Sequence, residues 1–498
     1  KPAACGGGKG MRIGRQPHAL EETLLATERE AAAYFGDGTV FIERYLEKPR
    51  HIEVQVLGDR HGNYIHLFER ECSIQRRHQK IIEEAPSISL TPEKREEITQ
   101  AALNIARQIG YYSAGTVEFL MDQQGRFYFL EMNTRIQVEH PATELITGID
   151  IVREQIRVAE GQSLSIKQED LQINGHAVEA RIYAEKPEQD FMPSPGELAA
   201  FDTPPMKGMR IDSGVKAGNE VRADFDPMIA KVIAHAANRN EAVKQLERFL
   251  RKSAIGGIHT NRAYLAAVLS NAHFQQNALS TTFIADPATA LLDASPKTPV
   301  VADKQFAAAA FLAHYTMAGA KEVNHGYWRL HNSLKLSVNE EAIDVRFQTY
   351  ENHLWIALED QSFTVKKVQW EGDLLYFTLH EERCRVKSYP AGNGGLLLFR
   401  EGKELSVKRI KPASGKQAME KAQGTQAALE AIKAPMFGKV LDIRVKEDSS
   451  VKAGDTMLIL EAMKMENSIQ ASHDMLVKRI NVQKGDQVKD GQVLIEVE

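Results

Sequence analysis

Thr116-Val117-Glu118-Phe119-Leu120-Met121-Asp122-Gln123-Gln124-Gly125-Arg126-Phe127-Tyr128-Phe129-Leu130-Glu131-Met132-Asn133-Thr134-Arg135-Ile136-Gln137-Val138-Glu139-His140 decides how this 498-residue chain is read. Two β-rich runs, Thr116 to Leu120 and Arg126 to Glu131, flank the turn Asp122-Gln123-Gln124-Gly125, a pattern that predicts a β-hairpin. Glu118 and Glu131 lie at nearly equal distances from that turn, so they are expected on one face as direct or diagonal neighbours. Neighbouring carboxylates repel. Either a hard divalent cation relieves them, Mg²⁺ shared with nucleotide phosphates being the common arrangement, or one of them turns to solvent. Beyond the hairpin, Glu131, Asn133, Arg135, Gln137 and Glu139 recur at period two, and in an extended chain all would share a face. An exposed edge strand also alternates, but typically with Lys, Thr and Ser. This row combines metal ligands, an amide, a guanidinium that can grip an oxyanion and a possible general base.

Upstream, Cys72-Ser73-Ile74-Gln75-Arg76-Arg77-His78-Gln79-Lys80 crowds cationic and titratable side chains into one run, which reads as a site or as a solvated charged strand. Near the start, Cys5-Gly6-Gly7-Gly8-Lys9-Gly10 is a flexible connector or a lid whose bare amides approach phosphate, with Lys1 and Lys9 supplying charge. It is not a Walker loop, because Gly10 stands where Ser or Thr should follow the lysine. Bulk composition excludes other classes. Lys plus Arg (62) nearly balance Asp plus Glu (67), so no electrostatic footprint for nucleic acid or an anionic membrane exists. Cys5, Cys72 and Cys384 are odd in number and widely spaced, which fits neither a disulfide framework nor a zinc cluster and points to a reducing compartment. No apolar run approaches the ~20 residues of a membrane span. At roughly 150 residues per domain the length predicts about three domains.

Texture divides the chain. From Lys1 to about Pro296, helical patterns such as Pro92 to Gly110 alternate with β-rich runs such as His51 to Leu57. An Ala-rich helical segment, Asp303 to Ala318, precedes short alternating strands up to Ile410, which predict a small antiparallel sheet or barrel. Lys411 to Lys433 reads as a linker. The end is a repeat: shifting Val440–Glu461 by 37 positions lays Val440 on Val477, Ile443 on Ile480, Val451 on Val488 and Gly454 on Gly491. Two copies predict a pseudo-symmetric sandwich of two small sheets. Between them sits Glu461-Ala462-Met463-Lys464-Met465-Glu466, which places Lys464 on an exposed turn as a reachable handle, or as a merely solubilising lysine.

Methionine on both sides of that lysine resembles the acceptor motif of biotin carboxyl carrier domains, with Ala434-Pro435-Met436 where that family has its own Pro-Met pair. The resemblance spans Ala434 to Glu498. It implies biotin bound covalently to Lys464 and a biotin protein ligase as partner. Lys1 to about Pro296 resembles the biotin carboxylase member of the ATP-grasp superfamily, nearly residue for residue at Glu131–Pro141 and Cys72–Pro86. By this resemblance Glu118, Glu131 and Asn133 hold Mg²⁺ or Mn²⁺. Lys1, His51, Gln75 and His78 contact ATP, Gly6, Gly7 and Gly8 belong to its lid, and Glu43 and Leu46 fall in the adenine hinge. Lys80, Arg135, Gln137 and Val138 bind bicarbonate, Glu139 is the general base, and Arg181 stabilises the biotin enolate. Pro2 and Cys5 depart from the Ala and Gly usual in the lid. The family places a Rossmann-like domain before the equivalent of Lys1, so an N-terminally incomplete chain is expected.

The implied fold is α/β (ATP-grasp), then an all-β barrel-like bridging domain, then a C-terminal all-β flattened-barrel biotinyl domain. Its expected divisions are 1–170 (truncated ATP-grasp part), 171–295 (biotin carboxylase C-terminal domain), 296–410 (bridging barrel with a leading helix), 411–433 (linker) and 434–498 (carrier). The strand-rich segment is similar in position to the subunit-bridging barrel of acyl-CoA carboxylase α subunits, which implies a carboxyltransferase β subunit in a hetero-oligomer. The short bridging domain entered through Gly326-Tyr327-Trp328-Arg329-Leu330 looks more like the 3-methylcrotonoyl-CoA enzymes of leucine degradation than the propionyl-CoA or acetyl-CoA ones. A rival of another class is a biotinyl carrier or scaffold without carboxylase activity. A bacterial cytoplasm is the favoured compartment, or the mitochondrial matrix in a eukaryote.

Overall fold

The computed structural model describes residues 1–4, 11–14, 16–222, 225–289, 291, 300–317, 332–400, 403–410, 430–435, 438–462, 465–489 and 491–498. Its N-terminal unit is built on one antiparallel sheet of eight strands: β1 (Arg50–Gly58), β2 (Tyr64–Arg76), β3 (Gln79–Ala85), β4 (Ser113–Met121), β5 (Phe127–Asn133), β6 (His176–Tyr183), β7 (Met209–Ser213) and β8 (Met228–Ala236). Their order is β7-β8-β6-β3-β2-β1-β4-β5.

Period-two alternation assigns the faces. In β1, Ile52, Val54 and Val56 pack on Ile98, Ala102, Leu103 and Ala106 of α1 (Pro92–Gln108), while His51, Glu53 and Gln55 point the other way. That other face is capped by α2 (His140–Thr147), whose Ala142 and Ile146 pack on Ala85, Ala177 and Ile233. Further along, α3 (Arg239–Lys252) lays Leu246, Phe249 and Leu250 on Val178, Ala180 and Val232, on the same side as α1. Helices therefore dry one face, and polar side chains collect under α2 on the other.

The hairpin of β4 and β5 forms as its sequence predicts, with Gly125 at φ +76° donating its N–H to the Asp122 carbonyl at 3.0 Å. Glu118 and Glu131 are direct cross-strand partners. The period-two row does not continue as a strand. β5 ends at Asn133, the chain turns through Val138 and Glu139, and α2 begins at His140. Pro141 is the physical reason: it lacks the N–H a ladder needs, and its fixed φ suits the first helical turn.

The middle unit is a closed barrel of β9 (Asn332–Val338), β10 (Glu341–Thr349), β11 (His353–Leu358), β12 (Gln361–Glu371), β13 (Leu374–Leu379), β14 (Glu382–Ala391), β15 (Gly395–Arg400) and β16 (Lys403–Ile410). The Ala-rich segment forms α4 (Val301–Leu312), and it does more than lead into the barrel. Residues Phe306 to Ala313 are all buried, and the helix touches β9 and β13, which lie opposite each other in the closed ring, as well as β15 and β16. The helix fills the barrel. A helix apolar all round must be buried on every side, and four consecutive alanines keep this one narrow enough.

The run Leu396-Leu397-Leu398-Phe399 is also buried on both faces. Leu396 and Leu398 join the barrel core, and Leu397 and Phe399 pack outward on Ala200 and Ala254 of the N-terminal unit. Gly256 belongs to this seat, because a Cβ there would lie 2.7 Å from both Glu404 Oε1 and Phe399 Cζ. Tyr389 donates its hydroxyl to Asp202 Oδ2 at 2.6 Å, and Lys387 pairs with the same carboxylate.

The C-terminal unit contains β17 (Glu430–Lys433), β18 (Gly438–Ile443), β19 (Ser450–Val451), β20 (Thr456–Ala462), β21 (Met465–Gln470), β22 (Met475–Ile480), β23 (Gln487–Val488) and β24 (Val493–Val497). The sheets run β17-β24-β22-β19 and β21-β20-β18-β23. A shift of 37 residues carries β18 onto β22, β19 onto β23 and the start of β20 onto β24, so each repeat lends its short strand to the other's sheet. The hydrogen bonds repeat as well: Gly454 donates to the Ala471 carbonyl at 2.8 Å, and Gly491 to that of Ala434 at 2.9 Å. Glu430–Lys433, which read as the end of the linker, is instead an edge strand paired with β24, with Ile432 packed on the core.

Candidate active site

The site is laid out by strand register. Glu53 on β1 stands directly across from Arg70 on β2 and from Glu118 on β4, and Glu118 stands across from Glu131 on β5. Three carboxylates and one guanidinium thus form a rung across the sheet. Lys80 on β3 projects into it, its Nζ donating to Glu118 Oε1 and Glu139 Oε1 at 2.7 Å each, and to Glu53. Arg70 is fully buried and every arm is used: Nε donates to Glu53, Nη1 to Gln55 Oε1 and Thr143 Oγ1, and Nη2 to Thr116 Oγ1 and Gln137 Oε1. Thr143 lies on α2, so Arg70 fastens the helix that delivers Glu139 to the rung that receives it.

Glu118 is the second hub. It accepts from Asn133 Nδ2 at 3.0 Å and Gln137 Nε2 at 2.8 Å, and His51 Nε2 lies 3.2 Å from its Oε2. Gln75 Nε2 reaches His51 Nδ1 at 3.0 Å, and His51 is close enough that its charge, after burial, helps depress the His78 pKa. Glu139 is clamped between Lys80 and Arg181, whose Nη2 donates to its Oε2 at 2.8 Å. Burial alone would favour protonation of Glu139. Lys80, Arg181 and Arg70 overcome it and hold the carboxyl well below the usual range. Glu118 is likewise lowered, burial being outweighed by His51 and Lys80. Lys80 is raised well above its ordinary value, since the surrounding carboxylates outweigh its own desolvation.

The remaining expected residues lie as follows. Val138 presents its carbonyl to Lys231 Nζ. Arg135 is exposed and turned aside, donating to Asn133 Oδ1 at 3.2 Å and to the Ile136 carbonyl at 3.3 Å, so it does not join the Lys80 cluster. Lys1 and Glu43 form a second group, Nζ to Oε2 3.5 Å, with Leu46 half-buried nearby in sequence. Gly6, Gly7, Gly8, Cys5 and Lys464 lie outside the described residues, as does Gly326-Tyr327-Trp328-Arg329-Leu330. The strands around Lys464 are described: β20 ends at Ala462, β21 begins at Met465, and these two residues pair.

The donor set suits a hard divalent cation. Glu118 and Glu131 oppose each other with Asn133 alongside, and ligand atoms of His51, Glu53 and Glu118 lie within 4.8 Å of one another.

Three regions of the chain match known families. Residues 1–167 match the ATP-binding domain of the carbamoyl-phosphate synthase L chain, 179–286 the biotin carboxylase C-terminal domain, and 430–497 the biotin-requiring enzyme domain. The methylcrotonoyl-CoA carboxylase subunit alpha of Dictyostelium discoideum is 36% identical across 99% of this chain and 73% of its own length. The human propionyl-CoA carboxylase alpha chain is 38% identical across 100% and 70%. This chain belongs to the biotin-dependent acyl-CoA carboxylase α subunits.

Members of that family are ligases with a biotin carboxylase and a biotinyl domain. Among solved structures, the Campylobacter jejuni biotin carboxylase β-γ-ATP complex matches at 44% identity and TM-score 0.55, covering 57% of this chain and 63% of that one. The biotin carboxylase domain of Hydrogenobacter thermophilus 2-oxoglutarate carboxylase, in complex with MgADP, ADP and bicarbonate, matches at 43% and 0.57, covering 59% and 65%. The chain therefore spans just under two thirds of those solved carboxylases. Both curated relatives are mitochondrial by name, and neither supports the expectation of a bacterial cytoplasm. No helix among the described residues is long and apolar enough to cross a membrane.

Sequence reading missed Glu53, Arg70, Glu83 and Glu179 in this α subunit. A signal existed in β1, where His51, Glu53 and Gln55 alternate with Ile52, Val54 and Val56, a polar row inside an apolar strand.

Proposed function

We propose that this chain uses ATP to activate bicarbonate and carboxylates biotin carried on its own Lys464, for delivery to a carboxyltransferase β subunit acting on an acyl-CoA. The observation that carries this reading is the convergence of Lys80 and Arg181 on the two oxygens of Glu139. A carboxylate held ionised between two cations is a proton acceptor in waiting. Bicarbonate entering the cluster competes for those cations, which returns basicity to Glu139 as the proton is taken.

The bicarbonate oxygen then attacks the γ-phosphorus of ATP as the bond to the leaving ADP oxygen breaks, a phosphoryl transfer favoured by placed positive charge. The resulting carboxyphosphate gives CO₂ and phosphate, and phosphate can accept the biotin N1 proton. Glu118, Glu131 and Asn133 would hold Mg²⁺ or Mn²⁺, which supplies charge neutralisation at the phosphates. His51, Gln75 and His78 on one side, and Lys1, Glu43 and Leu46 on the other, with Gly6, Gly7 and Gly8 as the lid, are proposed to hold the nucleotide. Lys80, Arg135, Gln137 and Val138 are proposed for bicarbonate, and Arg181 for charge developing on the biotin ureido oxygen. A biotin protein ligase would load Lys464.

The acyl group proposed is 3-methylcrotonoyl, on the shortness of the bridging segment. Propionyl is the second reading, favoured by the 38% match to the propionyl-CoA enzyme. Bicarbonate-dependent ATP hydrolysis stimulated by free biotin, measured on this chain and on a longer version of the gene product, tests the carboxylase. An inert result in both leaves only a carrier. Co-purification with a β subunit followed by an acyl-CoA panel tests the substrate.

A further inference from the structure

Behind the Lys80 cluster, on the same face of the sheet, two glutamates lie buried with too few partners. Glu83 on β3 and Glu179 on β6 are direct cross-strand neighbours, both with 0% exposure. Glu83 Oε1 accepts from Arg181 Nε at 2.5 Å. Its Oε2 and both oxygens of Glu179 are buried with no hydrogen-bond partner among the described residues. Native interiors seldom leave three carboxyl oxygens in that state.

The charged groups around the pair do not supply what is missing. Arg181, beside Glu179 on β6, is divided between Glu83 and Glu139. Lys231 on β8 stands across from Arg181, but its Nζ donates to the Val138 carbonyl and lies 3.6 Å from Asp212 Oδ2 on β7. From the turn that leads into α2 the facing group is Glu139, itself an anion. Lys80 on β3 is taken by Glu53, Glu118 and Glu139. On the opposite face, toward α3, Glu84, His176 and Arg239 close among themselves, with Arg239 Nε 2.6 Å and His176 Nε2 2.8 Å from Glu84 Oε2. Among the described residues every cation in reach is committed, and two directly opposed carboxylates in a dry interior cannot both stay ionised.

We propose that Glu179 is a neutral carboxylic acid at physiological pH and that Glu83 and Glu179, holding one proton between them, are positioning residues that keep Arg181 directed at Glu139. Burial and the facing Glu83 push the Glu179 carboxyl well up, and burial takes Glu83 up to about 7. When the proton is lost, a second negative charge appears beside Arg181 and draws its guanidinium back from Glu139. The pair thus limits the reaction at alkaline pH. The kinetic consequence rests on the carboxylase reading above; the protonation state does not.

Infrared difference spectroscopy of the whole chain, titrated upward from about pH 7, reads the proton directly. A protonated-carboxyl C=O band additional to that of other raised carboxyls such as Glu185 is expected in the wild type, and this band disappears in Glu179→Gln. Absence of the band, or its survival in Glu179→Gln, overturns the proposal whatever the activity. In a version that hydrolyses ATP, Glu179→Gln should move the alkaline limb of the biotin-stimulated rate upward by about one pH unit, and an unmoved limb also overturns it. Glu83→Gln should lower the biotin-stimulated kcat on the order of tenfold with the KM for ATP within about twofold, whereas equal changes in both refute a positioning role. Should Glu83→Gln fail to fold, the infrared result on Glu179→Gln decides alone. A wild type that shows the band while neither it nor the longer version hydrolyses ATP removes the carboxylase reading and leaves the protonation standing.

Discussion

The N-terminal sheet and the C-terminal carrier are both antiparallel and both dry inside, yet they provide for chemistry in opposite ways. Glu53, Arg70, Glu83 and Glu179 in the sheet, and Glu139 in the turn over it, are buried, so charges sit inside the structure and each depends on its neighbours. The carrier core is apolar throughout, from Ala434 and Val440 to Leu494 and Val497, and is assembled by repeating one unit. Lys464, proposed to carry biotin, falls in sequence between two strands whose facing ends, Ala462 and Met465, pair with each other. Where reacting groups must have tuned protonation states, burial among counter-charges is the device, and stability becomes tied to chemistry. Where a group needs only to be presented, a plain core suffices and the two are independent.

The sharpest way to break that contrast is at Lys464. Lys464→Arg should abolish biotin attachment completely, read by intact mass and streptavidin binding, with thermal unfolding of the carrier unchanged. A marked fall in its melting temperature would mean that lysine is structural after all. Next in size is Lys80→Met. It strands Glu53, Glu118 and Glu139 without their common cation, and breaking a buried charge set from one side costs about 3–5 kcal/mol. Urea unfolding measures this, and a loss under about 1 kcal/mol would show that water, not Lys80, solvates those carboxylates.

A third prediction concerns pH. Glu185, paired with Arg76 at 2.9 Å, is raised by burial to about 7. Its folded pKa lies above the unfolded value of about 4.3, so the unfolded state binds fewer protons between those two values and stability falls as pH rises through that window. Glu185→Gln removes this slope. The variant minus wild-type stability should therefore climb between about pH 4 and 7, whatever its starting offset from the lost Arg76–Glu185 ion pair, and a flat difference in denaturant titrations would remove the N-terminal unit's side of the contrast.

The smallest effect tests the repeat. Asp448 at φ +60° and Gly485 at φ +99° occupy equivalent left-handed positions, 37 residues apart, and each donates its N–H to the partner repeat at 2.8 Å. Gly485→Ala should cost about 1 kcal/mol and Asp448→Gly well under that, both visible in thermal melts of the whole chain. Unequal loss of the two sheets would mean that the repeats are not energetically matched.

Much of this was legible in sequence because it is local. A turn between two β-rich runs gave the hairpin and put Glu118 beside Glu131, since pairing about a short turn leaves little freedom of register. The 37-residue repeat gave the carrier's two sheets. The row from Glu131 to Glu139 was recognisable as chemistry but misjudged as geometry: Pro141 ends the extended run, and Glu139 reaches the site from the start of a helix. The Ala-rich helix was readable as a helix, whereas its place inside the barrel depended on eight strands closing around it.

By itself the sequence determined the residue types of the site, the order of the units and the two repeats, because motif, period and turn chemistry act over a few residues. Only the tertiary structure decided which charge answers which. Lys80 meets Glu139 across 59 positions and Arg181 meets Glu83 across 98, and both contacts depend on strand order and on α2 folding back over the sheet. The unpartnered oxygens of Glu179 have the same origin, since burial deep in a sheet is a property of everything packed around a residue and leaves no trace in its immediate neighbours along the chain.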